Sequence, residues 1–121
     1  MRTIKFRGKC LKAGQWFYGY LHCVEDRAFL FTPEMIEVDP DTVGQFTGCT
    51  DKNGVEIYEG DIVKKRTYHG IENCCVVFSA GCFCCGWGSG SSTAMHPYML
   101  DDKRIEVVGN IHDNPELLRQ R

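Results

Sequence analysis

Residues 38–63, VDPDTVGQFTGCTDKNGVEIYEGDIV, alternate short apolar runs with glycine-bearing turns. Val43–Cys49 supplies apolar anchors at Val43 and Phe46, with Gly44 and Gly48 allowing bends between them. Asp51-Lys52-Asn53-Gly54 follows, and Asn-Gly is the strongest short hairpin signal because both residues tolerate the positive φ of a type I′ turn. Glu56–Tyr58 returns toward a core through Ile57 and Tyr58. Glu59-Gly60-Asp61 then turns sharply into a strand over Ile62–Thr67. Strand, turn, strand, turn, strand is the local grammar.

The same grammar extends in both directions. Arg2–Gly8 alternates, with Ile4 and Phe6 on one side and Thr3, Lys5 and Arg7 on the other, the period-two pattern of a half-buried strand. Gly14-Gln15 reads as a turn. Trp16–Val24 and Ala28–Thr32, separated by Glu25-Asp26-Arg27, predict a hairpin that ends at Pro33, which cannot donate to a ladder. Met35–Val38 predicts a short strand closed by Asp39-Pro40. Downstream, strands are expected at Cys74–Ser79, Cys82–Trp87 and Arg104–Val108, with a glycine- and serine-rich loop over Gly86–Met95. Asn114, Pro115 and Glu116 suit the cap and first turn of a short C-terminal helix. Short, closely spaced strands of this kind predict a mainly β chain, a small barrel or sandwich.

Length and composition narrow the field. With 121 residues, 43% hydrophobic and 25% charged, the chain suits one compact domain with at most a small appendage. That length excludes a large two-domain enzyme, and a net charge of −2 provides no chain-wide basic field for nucleic acid. The opening MRTIKFRGKC has no apolar run suited to export. The one mainly apolar stretch, Cys74–Gly88, falls short of the roughly 20 residues that span a bilayer. Eight cysteines therefore read as reduced thiols in a cytoplasm. Two vicinal pairs among them argue against a disulfide framework, since neighbours on a strand point to opposite faces.

The cysteines are the strongest candidates for chemistry. Cys82 and Cys85 have the CxxC spacing of a zinc knuckle, with Cys74 or Cys75 and His96 available as further ligands. A second knuckle is missing, so packing of small apolar residues is the favoured reading. Thioredoxin-like redox work would need the motif at a helix N-terminus, and it sits in a β-rich segment. Asp51-x-Asn53-Gly54 has its glycine at the fourth place, not the sixth that a calcium loop requires. Gly86–Gly90 matches neither a nucleophile elbow nor a nucleotide loop. His22, His69, His96 and His112 are scattered without acid partners. No catalytic residue, cofactor or metal ligand is assigned. Lys64-Lys65-Arg66, near Tyr68 and His69, is the one basic cluster; it could follow a nucleic-acid backbone or simply protect a strand edge.

Five segments in order carry a family pattern: RTIKFRGK at 2–9, WFYGYL at 16–21, VDPDTVGQFTG at 38–48, DKNGVEIYEGDIV at 51–63 and VVGNIHDNPELL at 107–118. Together they resemble the YopX family, small proteins of phages and prophages. The resemblance implies an SH3-like β-barrel with a short C-terminal helix over residues 43–121, preceded by an N-terminal antiparallel β-rich element over residues 1–42. The cysteines and the 86–96 loop depart from the family pattern. The leading expectation is a non-enzymatic interaction module that binds a phage or host protein, or a second copy of itself, through an exposed edge or aromatic surface. Trp16, Phe17, Tyr18 and Tyr20 are the candidates, of which alternation sends half into the core. A nucleic-acid-binding accessory protein using Lys64, Lys65 and Arg66 is the competing class. A zinc- or thiol-dependent protein using the cysteine cluster is the third.

Overall fold

The computed structural model describes residues 2–67, 70–79, 81–86 and 105–118. Within them the chain forms strands β1 (Phe6–Lys9), β2 (Trp16–Val24), β3 (Arg27–Phe31), β4 (Met35–Val38), β5 (Gly44–Thr50), β6 (Glu56–Tyr58), β7 (Asp61–Thr67), β8 (Gly70–Ser79), β9 (Cys82–Gly86) and β10 (Glu106–Asn110). The pairings are antiparallel, and the described residues contain no helix beyond 3-10 turns. None of them is long and apolar enough to cross a membrane. Most of the Gly86–Met95 loop expectation lies outside the described residues.

The chain divides into two compact units, residues 1–48 and 49–121. In the first, the strand order is β4-β3-β2-β1-β5. Phe6, Phe17, Leu21, Ile36 and Val43 close on a fully buried centre of Ala28, Leu30 and Val38. Past β1 the chain curls back to β4: Cys10 bridges to Val38, the Leu11 N–H donates to the Glu37 carbonyl, and Asp39 N–H to that of Lys9. A sheet bent this far needs close backbone approach. Gly8 provides it, since a Cβ there would sit 2.8 Å from a Val38 methyl carbon.

The β2–β3 hairpin turns on Glu25-Asp26, with Val24 opposite Arg27. Glu25 holds φ 55°, a left-handed conformation that costs a non-glycine residue about 1–2 kcal/mol. Glu25→Gly is therefore expected to raise stability by up to about 1 kcal/mol, visible as a higher midpoint in urea. An unchanged or lower midpoint would contradict it.

In the second unit the order is β10-β7-β8-β9, and β6 follows the hairpin that ends β5. Ile57, Val63, Cys74, Val76 and Ile105 are fully buried together, flanked by Cys49, Phe83 and Val107. Lys65 lies on the Val63 side of β7 and is only 5% exposed. A bulge between Val107 and Gly109 shifts the register of β10 on β7.

The Asp51–Val55 turn differs from its expectation. Only Gly54 is left-handed (φ 81°), so Asn53-Gly54 is not a type I′ turn. Gly54 N–H donates to the Asp51 carbonyl and Asp51 N–H to that of Val55, making a three-residue loop closed by a left-handed glycine. The reason is Asp51 itself: its Oδ1 accepts the N–H groups of Asn53 and Val55 and draws the loop round the carboxylate. The C-terminal helix is likewise reduced to a 3-10 turn, Pro115–Leu118. Asn114 Oδ1 points back to the Asn110 N–H instead of capping the residues ahead of it. The Asn114 carbonyl receives Leu117 N–H, and Asn73 Nδ2 donates to the Leu117 carbonyl.

Gly60 stands where β6 turns into β7, with φ 94°. Its N–H donates to the Val76 carbonyl and its own carbonyl accepts Ile111 N–H. A branched side chain is strained in this region, so Gly60→Val is expected to cost about 1–3 kcal/mol in thermal unfolding. An unchanged melting temperature would contradict this placement.

Candidate interaction surface

Strand alternation sorts the aromatic run of β2 onto two faces. Phe17 and Leu21 pack into the core of the first unit, while Tyr18 and Tyr20 point outward. Tyr20 pairs with Phe31 on β3, and Phe31 with Met35 on β4, so three large apolar side chains form a row across three strands. Tyr20 is 67% exposed, and Phe31 and Met35 are about half exposed. The chain ahead of β1 adds the exposed Ile4 beside this row. Ile4, Lys5, Tyr18, Tyr20, Phe31 and Pro33 line a groove of about 440 Å³.

Gly19 makes this geometry possible. The Phe31 carbonyl oxygen occupies the position a Cβ on Gly19 would take. Beyond the turn, the Thr32 N–H and hydroxyl both bond to the Glu34 carbonyl and hold the Pro33 corner against the strand end.

On the β1 side of β2, Lys5, Arg7 and Lys9 bring cations against aromatic rings. The Arg7 guanidinium sits 4.8 Å from the Trp16 ring centre and the Lys9 ammonium 5.8 Å from it, while Lys5 lies 5.2 Å from the centre of Phe46. Trp16 is thereby half-buried under its cations. At the far edge Arg27 bonds Glu37 through two 2.9 Å contacts and stacks on Phe29. The hydrogen bond to Arg27 holds the Glu37 carboxyl below its ordinary range.

The residues singled out by sequence are dispersed. Of Trp16, Phe17, Tyr18 and Tyr20, the two tyrosines reach the groove. Lys64 is exposed and Lys65 buried, so these two do not share an accessible face; the Arg66 side chain lies outside the described residues. His22 is exposed and His112 half-buried, while His69 and His96 are outside the described residues. Cys74 and Cys75 point to opposite faces of β8, and the Cys85 side chain is not among those described. The described residues contain no group of three His, Cys, Asp or Glu side chains able to hold a metal ion. None of the described cysteines forms a disulfide. Sequence reasoning missed Ile4, Phe31, Pro33 and Met35 as partners of the tyrosines. Only Phe31 carried a signal, the alternation in Ala28–Thr32 that places Phe29 and Phe31 opposite the buried Ala28 and Leu30.

Fold and surface thus define a mainly β protein whose described residues form two small antiparallel units, the first bearing an exposed aromatic groove. The YopX protein family model matches residues 5–119, and the chain belongs to that family. It is similar to protein EF1440 from Enterococcus faecalis, whose crystal structure aligns with a TM-score of 0.61 at 25% identity, covering 98% of this chain and 99% of that one. No curated protein matches the sequence.

Proposed function

We propose that the chain is a non-enzymatic, phage- or prophage-derived interaction module that works in a reducing cytoplasm and binds a phage or host protein through the Tyr18–Tyr20–Phe31 groove. The observation that carries this reading is the exposed row Tyr20–Phe31–Met35 continuing into the groove. An apolar patch rimmed by polar groups is the usual mark of a binding surface. Aromatic anchors in such a patch supply most of the contact energy of an interface.

Residues 43–121 are read as an SH3-like barrel with its short C-terminal turn, following in sequence an N-terminal β-rich element over residues 1–42. Support comes from β10 lying beside β7, which brings the last described strand back to the start of the meander. The nucleic-acid reading has less support, since Lys65 is buried and the Lys5, Arg7 and Lys9 cations lie against Trp16 and Phe46.

The test uses the full chain as bait in host cells, with proximity crosslinking, beside a Tyr20→Ser/Phe31→Ser variant. Both side chains are largely solvent-facing, so the variant is expected to melt near the parent temperature while losing the crosslinked protein. Capture of the same protein by parent and variant alike would overturn the reading. Light scattering on both proteins decides self-association: a concentration-dependent dimer lost in the variant makes the partner a second copy. A salt-sensitive shift of single-stranded DNA by both proteins would favour nucleic acid instead.

A further inference from the structure

Asn53 is the only asparagine in the sequence followed by glycine. Glycine has no Cβ to keep an asparagine side chain off its backbone nitrogen, so a labile side-chain amide is most easily lost at such a step. The Gly54 nitrogen, its proton passing to solvent, attacks Asn53 Cγ; ammonia leaves and a cyclic imide forms. Water then opens the imide to an aspartyl or an isoaspartyl residue at position 53. Asn53 and Gly54 are both exposed, and nothing lies within 4 Å of the Cβ position on Gly54, so neither access of water nor crowding limits the reaction. Hydrogen bonding does. Gly54 N–H donates to the Asp51 carbonyl at 3.0 Å. Once that proton leaves, the attacking lone pair lies in the peptide plane along the former N–H direction, and it faces the Asp51 oxygen instead of Asn53 Cγ. On either side, Asp51 Oδ1 holds the N–H groups of Asn53 and Val55 at 2.8 and 2.9 Å, and Asp51 N–H bonds the Val55 carbonyl. Four hydrogen bonds to one residue thus bracket the labile step.

We propose that Asn53 is a self-modification site that Asp51 keeps shut: its amide is hydrolysed through the imide only when the Asp51–Val55 turn opens, and the isoaspartyl product opposes closing again. The net reaction consumes water and releases ammonium, and no electron is transferred. Opening of the imide at the backbone carbonyl routes the main chain through the former side chain. That inserts a methylene between the two N–H groups that Oδ1 grips. Opening at the other carbonyl keeps the backbone but sets a second carboxylate two residues from Asp51, where like charges repel. Because Asp51 Oδ2 also holds the Val107 N–H, loss of the turn is felt at β10. The device runs one way, since each opening exposes the turn to a covalent change that makes the next opening easier. The bland alternative is an exposed amide that reacts as it would in an unfolded chain, and the inference is independent of the groove reading.

The full-length chain is incubated folded and, in parallel, unfolded in guanidinium at the same mildly alkaline pH. Enzymatic carboxyl methylation, which labels isoaspartate, and peptide mass spectrometry follow position 53. The folded chain is expected to lose the Asn53 amide at least roughly tenfold more slowly than the unfolded one, because opening must come first. Asp51→Asn, which weakens the clamp and leaves Asn53-Gly54 in place, should speed the folded reaction at least roughly threefold. Circular dichroism checks the fold of that variant, and if it unfolds, the comparison of folded and unfolded parent carries the test. The isolated isoaspartyl protein should unfold at lower urea than the Asn53→Asp variant, which gains the charge without the extra methylene. Equal rates in the folded and unfolded parent, an unaltered rate in folded Asp51→Asn, or a shared urea midpoint for the isoaspartyl protein and the parent overturns the proposal.

Discussion

Replacing Asp51 by alanine is expected to cost about 3–5 kcal/mol, enough to unfold the second unit in a marginally stable chain. The carboxylate is only 3% exposed and serves three backbone donors at once. Oδ1 takes the N–H groups of Asn53 and Val55 at 2.8 and 2.9 Å, and Oδ2 takes that of Val107, 56 residues along the chain, at 2.9 Å. Lys52 N–H bonds to the Ile105 carbonyl beside it, so one side chain fastens the turn to the start of β10. Alanine leaves those donors without their charged acceptor. Asp51→Asn is expected to be milder, since its oxygen can keep two donors while its amide faces a third N–H, donor against donor. Urea denaturation followed by tryptophan fluorescence and circular dichroism measures both, and a loss below about 1 kcal/mol for alanine would refute this role.

The same carboxylate sets an acid limit. Burial pushes the Asp51 pKa up, but the combined N–H bonds from Val107, Val55 and Asn53, helped by Lys52, hold it below the ordinary carboxylate range. A group with a depressed folded pKa stabilises fully above its unfolded value and loses that contribution as pH falls through the folded one. Stability is therefore expected to decline below about pH 4. Asp51→Asn should flatten part of that decline.

Gly19→Val is expected to destabilise the first unit by about 3 kcal/mol or more, because its Cβ meets the Phe31 carbonyl oxygen, a backbone atom with no rotamer to yield. The β2–β3 ladder would part at Tyr20–Phe31 and take the groove with it. Gly19→Ala already introduces the offending carbon, so it should lose most of the same stability. Gly14, at φ 70° with open space around the Cβ position, offers the contrast: Gly14→Asn tolerates the conformation and should cost only a few tenths of a kcal/mol. Equal melting temperatures for Gly19→Ala and the parent would show that β3 can move away.

Strand identity was readable from the residues because it is a local property. Period two, β-branched and aromatic content and the punctuating glycines and prolines mark β2 at Trp16–Val24, β4 at Met35–Val38 and β6 at Glu56–Tyr58 without reference to anything distant. The family block of residues 38–63 also showed its structural nature, with glycines at turns and no acid, base and nucleophile set. What the residues could not show was which side chain serves which distant backbone. Asp51 read only as the residue leading into the Asn53-Gly54 turn, and its bond to Val107 exists only once β10 is in place. Lys64, Lys65 and Arg66 looked like one patch, yet alternation turns Lys65 inward beside Val63. CxxC spacing suggested Cys82 and Cys85, whereas an extended strand brings Cys82 and Cys84 together. The groove needs Ile4, Tyr20 and Phe31 from different segments. Sequence alone determined where the chain extends and where it turns, since steric preference acts between neighbours. Tertiary structure alone decided which faces are buried and which side chains converge, because register and burial arise only when separate strands pair.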